Sequence, residues 1–162
     1  MLFRSPIRWV GRALAAATLA LGVLGAVSPE PRVQAAAQLT ACAFFLLSIG
    51  IASRQIVAPG PVTTNNLLGA ATVYLLLGLI WTIGYLTVHR HAPDAFRGLR
   101  SGAPSEFLYL SFVTLATLGY GDITPVHPVA RMLAYLEAVI GQLYVAFLVA
   151  MLVARHVANR QR

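Results

Sequence analysis

Three apolar runs, Val33–Ser53, Leu67–Val88 and Val129–Ala154, are each long enough to cross a bilayer as a helix, and they constrain the fold more than any other feature. A hydrocarbon core of about 30 Å needs about 20 apolar residues rising 1.5 Å each. A fourth segment, Ala13–Val27, is short and spans only if Trp9–Gly11 are included and Arg12 snorkels. Its basic start (Arg4, Arg8, Arg12) and the small residues near Ala26-Val27-Ser28 or Val33-Gln34-Ala35 also fit a removable leader, although Pro29 disfavours the first site. The reading adopted is a retained helix. The expected fold is an all-α membrane protein with four spanning helices, three if the first is removed.

Charge supports the membrane and excludes another class of partner. The net charge of +7 comes from 12 basic residues, all arginine, against five acids. Most arginines sit at the ends of apolar runs, where they reach lipid headgroups, and no module for nucleic acid is left over. Trp9 reads as an interfacial anchor and Trp81 as packing. Cys42, the single cysteine, lies inside an apolar run and builds neither a disulfide framework nor a zinc site.

Short linkers, Pro29-Glu30-Pro31-Arg32 and Ala58-Pro59-Gly60-Pro61, divide the chain into two N-terminal helices (residues 1–58; helices about 9–27 and 33–53) and a second unit (59–162). Thr63–Asn66 suits a helix N-cap. Between the last two spans, His89–Pro128 holds an apolar stretch, Phe107–Ala116, too short to cross a bilayer. That combination predicts a re-entrant segment. Pro104 and Ser105 would start a short helix, with Ser105 as cap and Glu106 against the positive end of the dipole; Gly119 and Gly121 would end it. Arginines at helix ends divide seven (4, 8, 12, 54, 155, 160, 162) against five (32, 90, 97, 100, 131), which puts both termini in the cytoplasm and the re-entrant connection outside.

Residues Ser111–Pro125 read Ser-Phe-Val-Thr-Leu-Ala-Thr-Leu-Gly-Tyr-Gly-Asp-Ile-Thr-Pro. Here the chain resembles the pore region of the potassium channel family, with Leu118 where the Thr-Val-Gly-Tyr-Gly form has valine. The resemblance covers about Leu67–Arg155: an outer helix (67–88), a pore helix (105–116), a filter and an inner helix (129–155). It implies that oxygens of Thr117, Leu118, Gly119 and Tyr120, in the filter Thr117–Gly121, replace the hydration shell of K⁺ in a homotetramer. Turning successive carbonyls to one side requires alternating backbone handedness, which glycine accepts at 119 and 121. Asp122 lies just above the filter. Gly141 falls at the family's inner-helix hinge, Gln142, Val145, Val149 and Val153 share the face that would line the cavity, and Thr124 and His127 fall at the outer mouth.

The chain departs from the family in two places. The aromatic pair of the pore helix reads Tyr109-Leu110, so only Tyr109 can donate toward the filter. The carboxylate some members carry behind the filter is replaced by Val113, and an acid appears instead on the inner helix, Glu137, which is expected to be protonated or bonded to Ser111 or Thr114 in support of the filter. His89, His91 and Asp94 are read as solvated surface rather than a metal site. The only metal expected is the permeant K⁺, without a cofactor.

No spanning segment has arginine at every third position, so no voltage sensor is read, and the tail after Arg155 is too short for a ligand-binding domain. Opening is left to membrane tension, pH, lipid, a separate partner or nothing at all. The expected function is passive potassium conduction in a plasma membrane of bacterial inner-membrane type. The alternatives are a poorly selective cation channel and a non-conducting regulatory or scaffold subunit. No nucleophile-base pair supports an enzyme.

Overall fold

A computed structural model describes residues 4–27, 30–57 and 63–160. Five helices, α1 (Arg4–Val27), α2 (Pro31–Val57), α3 (Thr64–His91), α4 (Pro104–Leu115) and α5 (Pro128–Arg160), carry the fold. Two short strands, β1 (Phe96–Arg97) and β2 (Thr124–Pro125), pair antiparallel, Phe96 opposite Pro125 and Arg97 opposite Thr124. By length and composition α2, α3 and α5 can cross a membrane, over Pro31–Arg54, Thr64–His91 and Pro128–Ala154, whereas the apolar part of α1 is the shorter Ala15–Gly25. The Trp9, Arg4, Arg8 and Arg12 side chains, the Ser28-Pro29 junction and the Ala58-Pro59-Gly60-Pro61 linker lie outside what the structure describes.

The helix α3 runs past its apolar stretch, and polar groups cap both of its ends. Thr63 precedes α3, and its N–H donates to Asn66 Oδ1 at 3.0 Å, satisfying a donor that the first helical turn leaves free. At the other end the Ala92 N–H donates to Val88 O at 2.8 Å, and Pro93 then stops the helix and starts a single 3₁₀ turn.

Consecutive long helices are antiparallel. The Thr18 hydroxyl donates to Thr40 O at 3.4 Å, and a Cβ on Gly25 would lie 3.3 Å from that of Ala37, so rising numbers in α1 meet falling numbers in α2. Ile56 packs with Ala70, while Gln38 meets Thr87, which fixes α2 against α3 in the same way. Across α3 and α5 the Tyr144 hydroxyl donates to Ala70 O at 2.7 Å, and Gly84 faces Leu133.

The best-buried core lies where α3, the following loop, α4 and the start of α5 converge. Tyr85, Phe96, Phe107, Leu110 and Ala130 are buried there, with Trp81 packed against them. The rings of Phe96 stand edge-on to Tyr85 at 5.6 Å and to Phe107 at 5.3 Å, an arrangement that aromatic quadrupoles favour. His89 belongs to this cluster, 5.1 Å from the Phe107 ring, and the His91 Nδ1 lies 2.8 Å from Thr87 O. The solvated-surface reading of His89 is therefore corrected. Among the described residues no three His, Cys, Asp or Glu side chains gather as a metal would need.

Two boundaries of the short helix also differ from expectation. Its N-cap is Ala103, with Pro104 at the first helical position, and not Ser105. The cause is Glu106, whose carboxylate accepts the N–H groups of Arg100 and Ser101, each at 3.1 Å, and of Gly102 at 3.1 Å, folding the preceding loop over the helix start. At the C-terminus Thr117, not a glycine, ends the helix. Its φ is 57°, its N–H donates to Thr114 O at 2.9 Å and the Leu118 N–H to Val113 O at 2.9 Å. This is the Schellman pattern, with threonine in the left-handed position glycine usually takes.

Candidate ion-conduction site

The segment Thr117–Gly121 follows α4 directly, and all five residues are exposed in the single chain. Positive φ recurs at every second residue: 57° at Thr117, 58° at Gly119 and 78° at Gly121. A Cβ added to Gly119 or Gly121 would meet nothing within 4 Å. Backbone handedness, not space, therefore demands glycine at these two positions. The third left-handed residue, Thr117, was not visible in the sequence, because a threonine gives no sign of it.

The segment is tied to the chain on three sides. Below it, Gln142 Nε2 donates to Thr117 Oγ1 at 3.3 Å, so this residue, expected on the cavity face, also reaches the first residue of the segment. Beside it, the rings of Tyr109 and Tyr120 stack with an interplanar angle of 8° at 6.5 Å. Above it, the Tyr109 hydroxyl donates to Asp122, and this bond, with backbone N–H groups and the nearby Arg100, holds the Asp122 carboxyl below the usual carboxylate range against partial desolvation. Desolvation pushes the Glu106 carboxyl up, but the N–H groups of Ser101, Gly102 and Arg100 outweigh it and leave the group lowered.

Gly98 completes this outer shelf. With φ of 90° it passes so close to Asp122 that a Cβ would lie 1.8 Å from the Asp122 carbonyl oxygen. Gly98, Arg100, Ser105, Glu106, Tyr109, Asp122 and Ile123 line an open cavity of about 370 Å³ at this shelf. Thr124 is half-buried in β2 opposite Arg97, and the exposed His127 accepts the Val129 N–H on Nδ1 at 3.3 Å at the start of α5.

Against the inner side of α4 lies a buried polar chain. Glu137 is fully buried, and its Oε2 accepts the Tyr85 hydroxyl in a short bond. Ser111 Oγ lies 2.5 Å from Glu137 Oε1 and 2.8 Å from Gly78 O. A serine hydroxyl has one proton, so both contacts are hydrogen bonds only when the carboxyl itself carries a proton and donates to Ser111. Thr114 bonds to the Tyr85 hydroxyl and reaches Glu137 only through it. Of the two expected partners Ser111 is direct and Thr114 indirect; Tyr85 and Gly78 were not foreseen.

Gly141 is buried, and a Cβ there would come within 2.6 Å of Leu115 O. Its place beside the last turn of α4 explains the glycine by close approach, and α5 runs through it as one continuous helix. Val145, Val149 and Val153 follow on α5, 44%, 54% and 57% exposed, and Val145 also borders an apolar groove with Tyr74 of α3 and Leu148.

Residues 79–157 match the family described as "Ion channel". An inward rectifier potassium channel, Kirbac3.1 of Paramagnetospirillum magnetotacticum, is 31% identical over 83 residues, 51% of this chain and 27% of that protein. Protein LctB of Geobacillus stearothermophilus is 37% identical over 83 residues, 51% of this chain and 58% of LctB. Potassium channel K1 of Plasmodium berghei is 36% identical over 61 residues, 38% of this chain and 3% of its own length. This chain thus spans less than two thirds of each of these relatives. Residues 79–157 of this all-helical membrane protein thus match an ion channel family, and potassium channels are among the proteins to which the chain is similar.

Proposed function

We propose that four copies of this chain assemble around one axis into a potassium-selective channel. The observation that carries this reading is the alternation of left-handed backbone at residues 117, 119 and 121, immediately after a short helix that stops at Leu115. Alternating handedness turns successive carbonyls to one side, and four such strands would surround a dehydrated K⁺ with oxygens. The exposed Leu118 and Tyr120 side chains, 57% and 67%, supply apolar surface for neighbouring copies to cover. Conduction is passive, through queued sites. Asp122, Tyr109, Thr114 and Glu137 support the filter, and Gln142, Val145, Val149 and Val153 line the path below it, with Thr124 and His127 at the mouth. Both termini lie in the cytoplasm in this arrangement, and the membrane is a plasma membrane of bacterial inner-membrane type.

Purified protein in liposomes tests the reading. Potassium-driven flux with a reversal potential close to that of potassium is the expected result. Equal potassium and sodium permeability would favour a poorly selective cation channel, for which the missing second aromatic at Leu110 speaks. No flux from intact tetramers would favour a non-conducting subunit.

A further inference from the structure

After α3 the chain comes back to the segment that leaves Gly121 and is fastened to it along the backbone. Val126 and His127 both donate their N–H groups to Ala95 O, at 2.8 and 3.2 Å. Phe96 and Arg97 pair with Pro125 and Thr124, and Gly98 lies against the Asp122 carbonyl with no room for a side chain. Residues 95–98 are therefore held at a fixed place beside residues 122–127.

This pairing decides where one charged side chain stands. Phe96 enters the aromatic core with Tyr85 and Phe107, so its neighbour Arg97 projects from the opposite face of the strand, and it is exposed. Directly opposed residues of an antiparallel pair share a face, which puts Arg97 beside Thr124, three residues beyond Gly121. Two carboxylates of the same outer shelf are engaged elsewhere: Glu106 accepts the N–H groups of Arg100, Ser101 and Gly102, and Asp122 has the Tyr109 hydroxyl and the nearby Arg100. Asp94 stands on the preceding 3₁₀ turn. Among the described residues no ion pair forms with Arg97.

We infer that Arg97 sets the rate at which cations enter the pore from the filter-mouth side. In the fourfold assembly proposed above, on which this inference rests, each Thr124 at the mouth brings one Arg97 with it, and the guanidinium groups form a positive collar. Such a collar lowers the local concentration of cations through water, without touching them. The Debye length is about 30 Å in 0.01 M salt and about 3 Å in 1 M, so the collar acts in dilute salt and is silent in concentrated salt. A field requires the charge and not the planar fork of arginine, so lysine would serve equally.

Single-channel recording of the full-length protein in planar bilayers, in symmetric potassium chloride, tests the inference. In about 0.01 M salt Arg97→Gln should raise the unitary current entering from the filter-mouth side about threefold, and Arg97→Glu should raise it further. Arg97→Lys should match the unmutated protein, and in about 1 M salt all four proteins should agree. Equal currents from the unmutated protein and Arg97→Gln in dilute salt, a gain that persists in concentrated salt, or an Arg97→Lys protein that behaves like Arg97→Gln each overturns the inference and leaves conduction standing. An unmutated protein that passes no potassium current overturns the proposed channel, and the collar with it.

Discussion

Gly141 faces the carbonyl of Leu115 so closely that a methyl group on its α-carbon would lie 2.6 Å from that oxygen. The inner helix and the last turn of the short helix therefore meet backbone to backbone. Gly141→Ala should lower the stability of the assembled protein by about 1–3 kcal/mol, the usual cost of overpacking a rigid contact. Thermal unfolding of the purified assembly checks this. Unchanged stability with altered open probability would return the residue to the role of a hinge.

Gly119→Ala should behave differently. Its Cβ has free space within the chain, so assembly survives; the left-handed φ of 58° becomes strained by about 1–2 kcal/mol, and the strand relaxes toward ordinary backbone. Size-exclusion profiles should match those of the unmutated protein, while selective potassium flux is lost. Normal selective flux would dismiss residues 117–121 as the filter.

Glu137→Gln preserves the buried chain, since an amide can accept from Tyr85 and donate to Ser111, as a carboxylic acid does. Glu137→Val leaves the Tyr85 O–H without its acceptor, at about 1–3 kcal/mol, while Ser111 keeps its bond to Gly78 O. Flux and thermal stability should stay near normal in the first variant and fall in the second. Equal behaviour of the two would make Glu137 a bystander.

The Tyr109–Asp122 bond has a defined pH signature. Because the bond holds the Asp122 carboxyl lowered in the folded protein, its contribution is fully present above the ordinary aspartate pKa of about 4 and is lost as pH falls through the folded value below that. The Tm difference between the unmutated protein and Tyr109→Phe should hold constant from pH 8 to pH 5 and shrink only in stronger acid. A difference that vanishes near pH 6 would assign the bond's stability to another group.

Much of this was legible in the residues. Apolar length located α2, α3 and α5, and the short apolar stretch before Thr-Leu-Gly-Tyr-Gly located the short helix α4, because bilayer thickness is a fixed ruler. Glycines at 119 and 121 announced their backbone, whereas Thr117 adopts the same handedness through the Schellman bonds, which depend on carbonyls that every residue has. Glu137 stood out as an acid in an apolar run, and Ser111 was within its predicted reach. Tyr85 could not be paired with it, since the two are 52 positions apart and meet only through the crossing of α3 and α5. The N-cap at Ala103 escaped for a similar reason: Glu106 acts backward on the loop, and propensity favours the serine beside it.

Thr117 is at once the residue that stops α4 and the first residue of the proposed filter. No spacer separates the two, so the short helix and the strand cannot be displaced independently along the chain. A tilt of α4 is delivered undamped to the peptide between Thr117 and Leu118, and a one-residue insertion there would uncouple helix from strand. The arrangement works like a rigid bracket whose end is itself the working edge: its accuracy comes from having no joint.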